Sequence, residues 1–276
     1  MTGILGVGSA SLTEGGATPG TPLSGTEIVV HYGGVVAVNG VTVRAAAGAV
    51  TGIIGPNGAG KSSLIAVLAG AQRPASGRVL LGERDITHLR PHQRSELGLL
   101  RTFQTARIFS RLSVLENVIA GTKSPSAEGL VSALLTRRKW RSHERASTER
   151  ALGLLAEFGM LDQAERRCGE LSGGQRRIVE YLRVLMARPS VILLDEPTVG
   201  MAPWLVARLA DDLATLRSSG VCVVLVGHEM GFIRQVCDVV IVMANGEAIA
   251  EGSFDEVAEN DLVRQAYLGR RAGPPS

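Results

Sequence analysis

The apolar residues of this chain fall into two kinds of pattern. Short unbroken runs at residues 50–54, 189–194 (PSVILL) and 221–226 read as strands buried on both faces, as strands of a parallel sheet are. Each run ends in glycine or polar residues: Gly55, then Asp195-Glu196-Pro197, then Gly227-His228. Residues 203–217 carry apolar positions at helical spacing instead, and residues 64–69 read as the first turns of another helix. The run EIVVHYGG predicts a strand that begins near Glu27 and stops at Gly33-Gly34, with a second strand region over 35–44. A turn at 74–77 leads to a short strand at 78–81, and residues 86–97 read as a connector with a helical piece. Residues 99–103 are strand-like, and a last hairpin over 238–243 and 247–252 turns at Asn245-Gly246.

From about 121 to 169 the strand signals stop. Residues 130–135 and 151–161 show helical spacing between charge-rich stretches, which places a helical insertion between two halves of an α/β fold. Ser113, with Glu116 three residues on, reads as a capping box. Ser172 is a natural N-cap for a helix expected from about 175 to 187. Residues 1–25, rich in Gly, Ser and Thr, bury too little to order and are expected to be a mobile tail.

The strongest chemistry lies in GPNGAGKSS: Gly55, Pro56, Asn57, Gly58, Ala59, Gly60, Lys61, Ser62 and Ser63. Strand, glycine loop and helix in that order make GxxxxGK[ST] a phosphate site. Gly55, Gly58 and Gly60 permit positive φ, so backbone N–H groups converge on one anion, and the helix that follows adds the positive end of its dipole. Lys61 supplies a mobile charge for the outer phosphates and Ser62 a hydroxyl for Mg²⁺.

Four further positions belong with that loop. Asp195, at the C-terminal end of a buried strand, faces the ligand edge of an open sheet and suits a Mg²⁺ ligand. Glu196, one residue on, leaves the strand and can polarise a water. His228 lies at the end of another strand on the same edge, and Gln104 ends a strand where its amide can reach into a site. Ser172, Gly173, Gly174 and Gln175 form a second anion site at a helix N-terminus. One nucleotide does not need two such sites from one chain, which points to a partner's nucleotide. Tyr32, just before a turn, is either a core aromatic or a platform for a purine ring.

Composition narrows the class. The chain has 276 residues, 45% hydrophobic and 20% charged, with a net charge of +3 and no dense basic stripe, so nucleic acid is not an expected partner. The cluster at 137–141 (RRKWR) is either a solvated helix face or a contact for lipid headgroups or a membrane partner. The three cysteines, Cys168, Cys222 and Cys237, are far apart and lack zinc-ligand spacing; this suits a reducing cytosol, with Cys222 packed as a small apolar group. No apolar run approaches a bilayer span, and the N-terminus does not read as a secretory signal.

The ensemble resembles the ATP-binding subunits of ABC transporters over about residues 27–270. GPNGAGKSS stands as Walker A, Gln104 as the Q-loop, LSGGQ as the signature, VILLDEP as Walker B and His228 as the switch histidine. Tyr32 falls where that family places an adenine-stacking aromatic. RTFQTARIF, LSVLENV and EGSFDEV look like the branched-chain amino-acid importer group, with urea and short-amide importers and lipopolysaccharide exporters as cousins.

The resemblance implies an α/β P-loop NTPase core with an antiparallel β subdomain and an inserted helical subdomain. It implies a tail over 1–25, one ATPase domain over 26–270 with the insertion at about 105–188, and a short tail over 271–276. It implies ATP and Mg²⁺ as cofactors, with Ser62, Gln104 and Asp195 at the metal. Glu196, His228 and Gln104 would act in hydrolysis. Two such subunits, identical or homologous, would meet head to tail with each ATP between Walker A of one and the signature of the other. Two membrane permease subunits would dock near residues 105–112 at the cytoplasmic face of the plasma membrane, served indirectly by a periplasmic or lipid-anchored binding protein. Two alternatives stand beside it, an ABC ATPase acting on nucleic acid or ribosomes and a non-hydrolysing regulatory subunit. The chain departs from the family at Ala202, where most members have the D-loop aspartate, and at Gly227, where a glutamate commonly precedes the histidine.

Overall fold

The computed structural model describes residues 20–102, 108–122 and 137–268. Two sheets carry the architecture. Strand β1 (Leu23–Tyr32) pairs antiparallel with β2 (Val35–Ala45) and, on its other side, with β4 (Ser76–Leu81). Strand β5 (Arg84–Asp85) completes this four-stranded sheet, in the order β2-β1-β4-β5. The second sheet is built on β3 (Val50–Ile54), β6 (Leu99–Arg101), β7 (Val191–Asp195), β8 (Cys222–Val226) and β9 (Val239–Ala244), all parallel to their neighbours. Strand β10 (Glu247–Gly252) adds antiparallel to β9 through the Asn245-Gly246 turn, where both residues have positive φ as the hairpin requires. The order is β10-β9-β3-β8-β7-β6. Strands β3, β7 and β8 are buried at every residue, which is why their sequences are unbroken apolar runs.

Successive strand residues point to opposite faces, so each run feeds two cores. Ile53, Leu193, Val224 and Ile241 pack against helix α1 (Lys61–Leu68) and the antiparallel sheet. Ile54, Leu194, Leu225 and Val242 pack on the other face, in one cluster with α5 (Gly173–Met186) and α6 (Pro203–Ser218). Helices α3 (Val114–Ile119) and α4 (Arg137–Glu157) join that same cluster through Val114, Val118 and Leu155. The helical insertion therefore shares its core with the sheet. The Ser113–Glu116 capping box is formed in both directions.

Strand β1 starts at Leu23, not near Glu27, so residues 23–25 do not belong to the expected tail. Leu23 is fully buried and is registered against both Ala45 and Leu81. Backbone ladders on both sides hold residues 23–25 extended although Gly25 is a poor strand former. The expected helical stretch 130–135, the Q-loop residue Gln104, positions 105–107 and the outer parts of both tails lie outside the described residues, as do the side chains of the 137–141 cluster.

Candidate functional site

The five parallel strands deliver their C-terminal ends to one edge. Val226 is registered with both Ile53 and Asp195, so the ends of β3, β8 and β7 stand level there. The phosphate loop, Asp195-Glu196 and Gly227-His228 leave the sheet from these ends. Non-contiguous motifs thus converge, as expected for the ligand edge of an open α/β sheet.

The glycine loop curls as its sequence demands. Gly55, Gly58 and Gly60 have φ of 149°, 80° and 99°. At two of them only hydrogen fits: a Cβ on Gly55 would come 2.1 Å from the Met243 carbonyl oxygen, and one on Gly60 2.2 Å from that of Ala37. Gly60 is also the N-cap of α1, whose first-turn N–H groups lack helical acceptors and face the loop. Lys61 is the first helical residue. Its buried ammonium donates to the Gly55 and Pro56 carbonyls at 2.7 and 2.9 Å, inside the curve of its own loop. Ser62 is exposed and Ser63 half-buried beside it, while Ala59 is buried against the core.

Asp195 is 2% exposed. Its carboxylate accepts from the Arg101 guanidinium at 2.8 Å, an ion pair between neighbouring strands that motif reading did not anticipate. Glu196 adopts φ 48°, a left-handed conformation that side chains enter at a cost of roughly 1–3 kcal/mol and that clusters at functional sites. The bend turns its carboxylate out of the sheet, where Oε1 lies 3.8 Å from Nδ1 of His228. His228 is largely exposed, so the acid and the imidazole together border solvent on the ligand edge. Arg177 donates to the Glu196 carbonyl at 3.0 Å, a second arginine that sequence reasoning missed. Both arginines stand within recognisable motifs, RTFQ and the residues after LSGGQ, but nothing local reveals what they touch.

Ser172 caps α5 in a reciprocal box. Its hydroxyl accepts from the Gln175 amide at 3.2 Å and the Gln175 side chain accepts from the Ser172 amide at 3.0 Å. Gly173 and Gly174 are the first helical residues rather than a loop ahead of the helix, so the expected start at 175 is late by about a half-turn of chain. Ser172 and Gly173 are exposed, so the Ser172 hydroxyl and the Gly173 N–H at the helix N-terminus can meet an anion from outside the subunit. Gly174 is buried instead, where a Cβ would lie 2.5 Å from the Gly200 carbonyl oxygen. Tyr32 is 52% exposed at the end of β1, which rules out the core reading and leaves its ring face open.

The oxygen donors Ser62 and Asp195 suit a hard divalent cation, and among the described residues no cluster of three metal-ligating side chains competes with them. Burial pushes the thiols of Cys222 and Cys237 up to about 12 and that of Cys168 to about 11, so none is a nucleophile at neutral pH. A largely apolar cavity of about 340 Å³ is lined by Ile54, which precedes the loop, and by Phe254, Val257, Val263, Arg264 and Tyr267.

Comparison with known proteins agrees with this geometry. A family model described as ABC transporter matches residues 38–199, and one described as branched-chain amino acid ATP-binding cassette transporter matches residues 249–273. The chain is 37% identical to a probable branched-chain amino acid transport ATP-binding protein, LivG, of Methanocaldococcus jannaschii, over 88% of this chain and 95% of that one. It is 33% identical to the high-affinity counterpart BraF of Pseudomonas aeruginosa, again over 88% and 95%. Among solved structures it is similar to a nucleotide-free ATP-binding cassette from an ABC transporter, with a TM-score of 0.77 and 34% identity over 90% of this chain and 99% of that chain. A cassette solved in its ADP conformation matches with a TM-score of 0.76 and 34% identity, over the same 90% and 99%. Among the described residues no helix is long and apolar enough to cross a membrane.

Proposed function

The chain belongs to the ABC transporter family of ATP-binding subunits, and from that membership we propose that it hydrolyses ATP to power a branched-chain amino-acid importer. The observation that carries the reading is the meeting of the glycine loop, Asp195, Glu196 and His228 on one sheet edge, together with an exposed signature turn elsewhere.

The loop amides from Gly55 to Gly60, the α1 dipole and Lys61 bind the triphosphate. Lys61 exchanges its two loop carbonyls for phosphate oxygens when ATP enters. Tyr32 stacks on the adenine. Ser62 and Asp195, with Gln104, hold Mg²⁺, which supplies charge neutralisation at the phosphates. Glu196 orients and deprotonates the attacking water, and His228 contacts the γ-phosphate. At 3.8 Å the Glu196 and His228 side chains are neighbours beyond hydrogen-bonding distance, so both can face the same reacting group.

The γ-phosphate also reaches the exposed Ser172–Gln175 turn of a second subunit, identical or homologous, so it joins the two until hydrolysis parts them. Two permease subunits dock at the cytoplasmic face of the membrane near residues 105–112, where Phe109 and Leu112 are exposed apolar side chains. The substrate class comes from the similar transport proteins; urea, amide or lipopolysaccharide carriage is the alternative within the same family.

The test is Glu196→Gln. The variant is expected to bind Mg-ATP with undiminished affinity, to hydrolyse it ~10²–10³-fold more slowly, and to accumulate as a nucleotide-bound dimer in size-exclusion chromatography. Normal turnover would remove Glu196 from its role. Transport of labelled leucine by the reconstituted assembly, against urea as control, tests the substrate class.

A further inference from the structure

Glu196 needs its backbone held. At φ 48° it occupies a conformation that its own side chain disfavours. Its N–H donates to the Val226 carbonyl at 2.8 Å. Its carbonyl accepts from the Val199 amide at 3.4 Å and from the Arg177 guanidinium at 3.0 Å. The shorter of the two carbonyl contacts is thus a charge-assisted bond from a different element.

That element is α5, the helix that Ser172 caps. Arg177 is half-buried, little more than one turn beyond the exposed Ser172-Gly173 turn. A second contact ties the same two regions: Gly174 packs on the Gly200–Met201 backbone so closely that a Cβ would come 2.5 Å from the Gly200 carbonyl oxygen. The start of α5 and the turn from Glu196 to Met201 are therefore clamped at two points. Ala202, which ends that turn, offers no carboxylate for communication between sites.

We propose that Arg177 is a positioning residue for hydrolysis, linking the signature turn to the Glu196 of its own chain. This rests on the head-to-tail arrangement proposed above. There the signature turn of one subunit grips its partner's triphosphate while Glu196 of that subunit serves its own. A triphosphate seated on Ser172 and Gly173 fixes the start of α5, and Arg177 transmits that placement to the Glu196 carbonyl. The two ATP sites are coupled through a guanidinium and a backbone bend instead of a D-loop carboxylate.

A double-mutant cycle tests this, using Arg177→Ala, Glu196→Gln and the pair, each measured in single-turnover and steady-state ATP hydrolysis. The expected result is a loss of ~10–10²-fold in kcat for Arg177→Ala, with KM for ATP unchanged. In the Glu196→Gln background, Arg177→Ala should cost nothing further, because the residue it positions is gone. Arg177→Lys, which can still donate one bond, should recover part of the rate and serves if the alanine variant does not fold. The Hill coefficient for ATP should fall towards one in both Arg177 variants.

An equal loss of rate in both Glu196 backgrounds, or an unchanged kcat, overturns the positioning role. A lowered kcat with an unchanged Hill coefficient overturns the link between sites. Failure of the dimer reading is separate: light scattering would show Glu196→Gln monomeric at saturating ATP, and the kcat cycle would still report on positioning.

Discussion

The guanidinium of Arg101 lies 2.8 Å from the carboxylate of Asp195, across adjacent parallel strands, with 14% and 3% of the two side chains exposed. Two charges withdrawn this far from water depend on each other, because either alone would carry an uncompensated desolvation penalty. Asp195 is also the residue proposed to hold Mg²⁺, so the arginine orients the carboxylate that a metal would share.

Replacing Arg101 by Met should therefore lower the stability of the nucleotide-free protein by about 3–5 kcal/mol. Mg-ADP should restore more stability to the variant than to the parent, since the cation then supplies the missing positive charge. Thermal shift with and without Mg²⁺ reads this directly. A nucleotide-dependent shift equal in the two proteins would separate Arg101 from the metal site.

Arg94, on α2 (Pro91–Glu96), is fully buried and donates to the carbonyls of Val67, Leu68, Thr87 and Leu89. Two of these acceptors, the Val67 and Leu68 carbonyls, lie in the last turn of α1, where Val67 also accepts from the Gly70 amide, so the arginine helps cap the helix that begins in the phosphate loop. Burial pulls its pKa down to about 10, which leaves it cationic at neutral pH. Arg94→Ala should cost at least ~3 kcal/mol in urea denaturation, because several buried carbonyls lose their donor at once. Arg94→Lys should recover little, since an ammonium cannot span the same fork of acceptors.

Ala202 is the N-cap of α6 and makes no side-chain capping bond. Its φ of −69° and ψ of 149° already suit a capping side chain. Ala202→Asp should raise stability by ~0.5–2 kcal/mol through the cap and the favourable charge at the helix N-terminus. Equilibrium unfolding of the free subunit measures this; no gain would mean that the first turn is satisfied by water as well as by a carboxylate.

Tyr181 on α5 donates its hydroxyl to the carboxylate of Asp212 on α6. Burial, the largest influence, raises the Asp212 pKa above the usual carboxylate range, against the Tyr181 hydrogen bond and the charge of Arg208. A raised folded-state pKa contributes stability that is full below the unfolded value and is lost as pH rises through the folded value. Asp212→Asn keeps an acceptor for Tyr181 and removes the titration. Its stability relative to the parent should therefore improve as pH increases from the ordinary carboxylate value towards neutrality. A pH-independent difference in urea midpoints would show that Asp212 titrates normally.

Much of this protein was determined by its sequence alone. The buried strands, the glycine loop, the Asn245-Gly246 hairpin and the caps at Ser113 and Ser172 are each dictated by a few neighbouring residues, and each formed where the pattern placed it. Local sterics and alternation need no distant partner, so their signals survive in one dimension. Tertiary structure decided the rest. Leu23 became strand because two ladders claimed it. Arg94, Arg177 and Arg101 found acceptors 27, 19 and 94 residues away in the chain. A long cationic side chain reads as solvated surface in any sequence window. Only the folded sheet edge, where level strand ends bring a buried acid and a strained glutamate within reach, gives these arginines their roles.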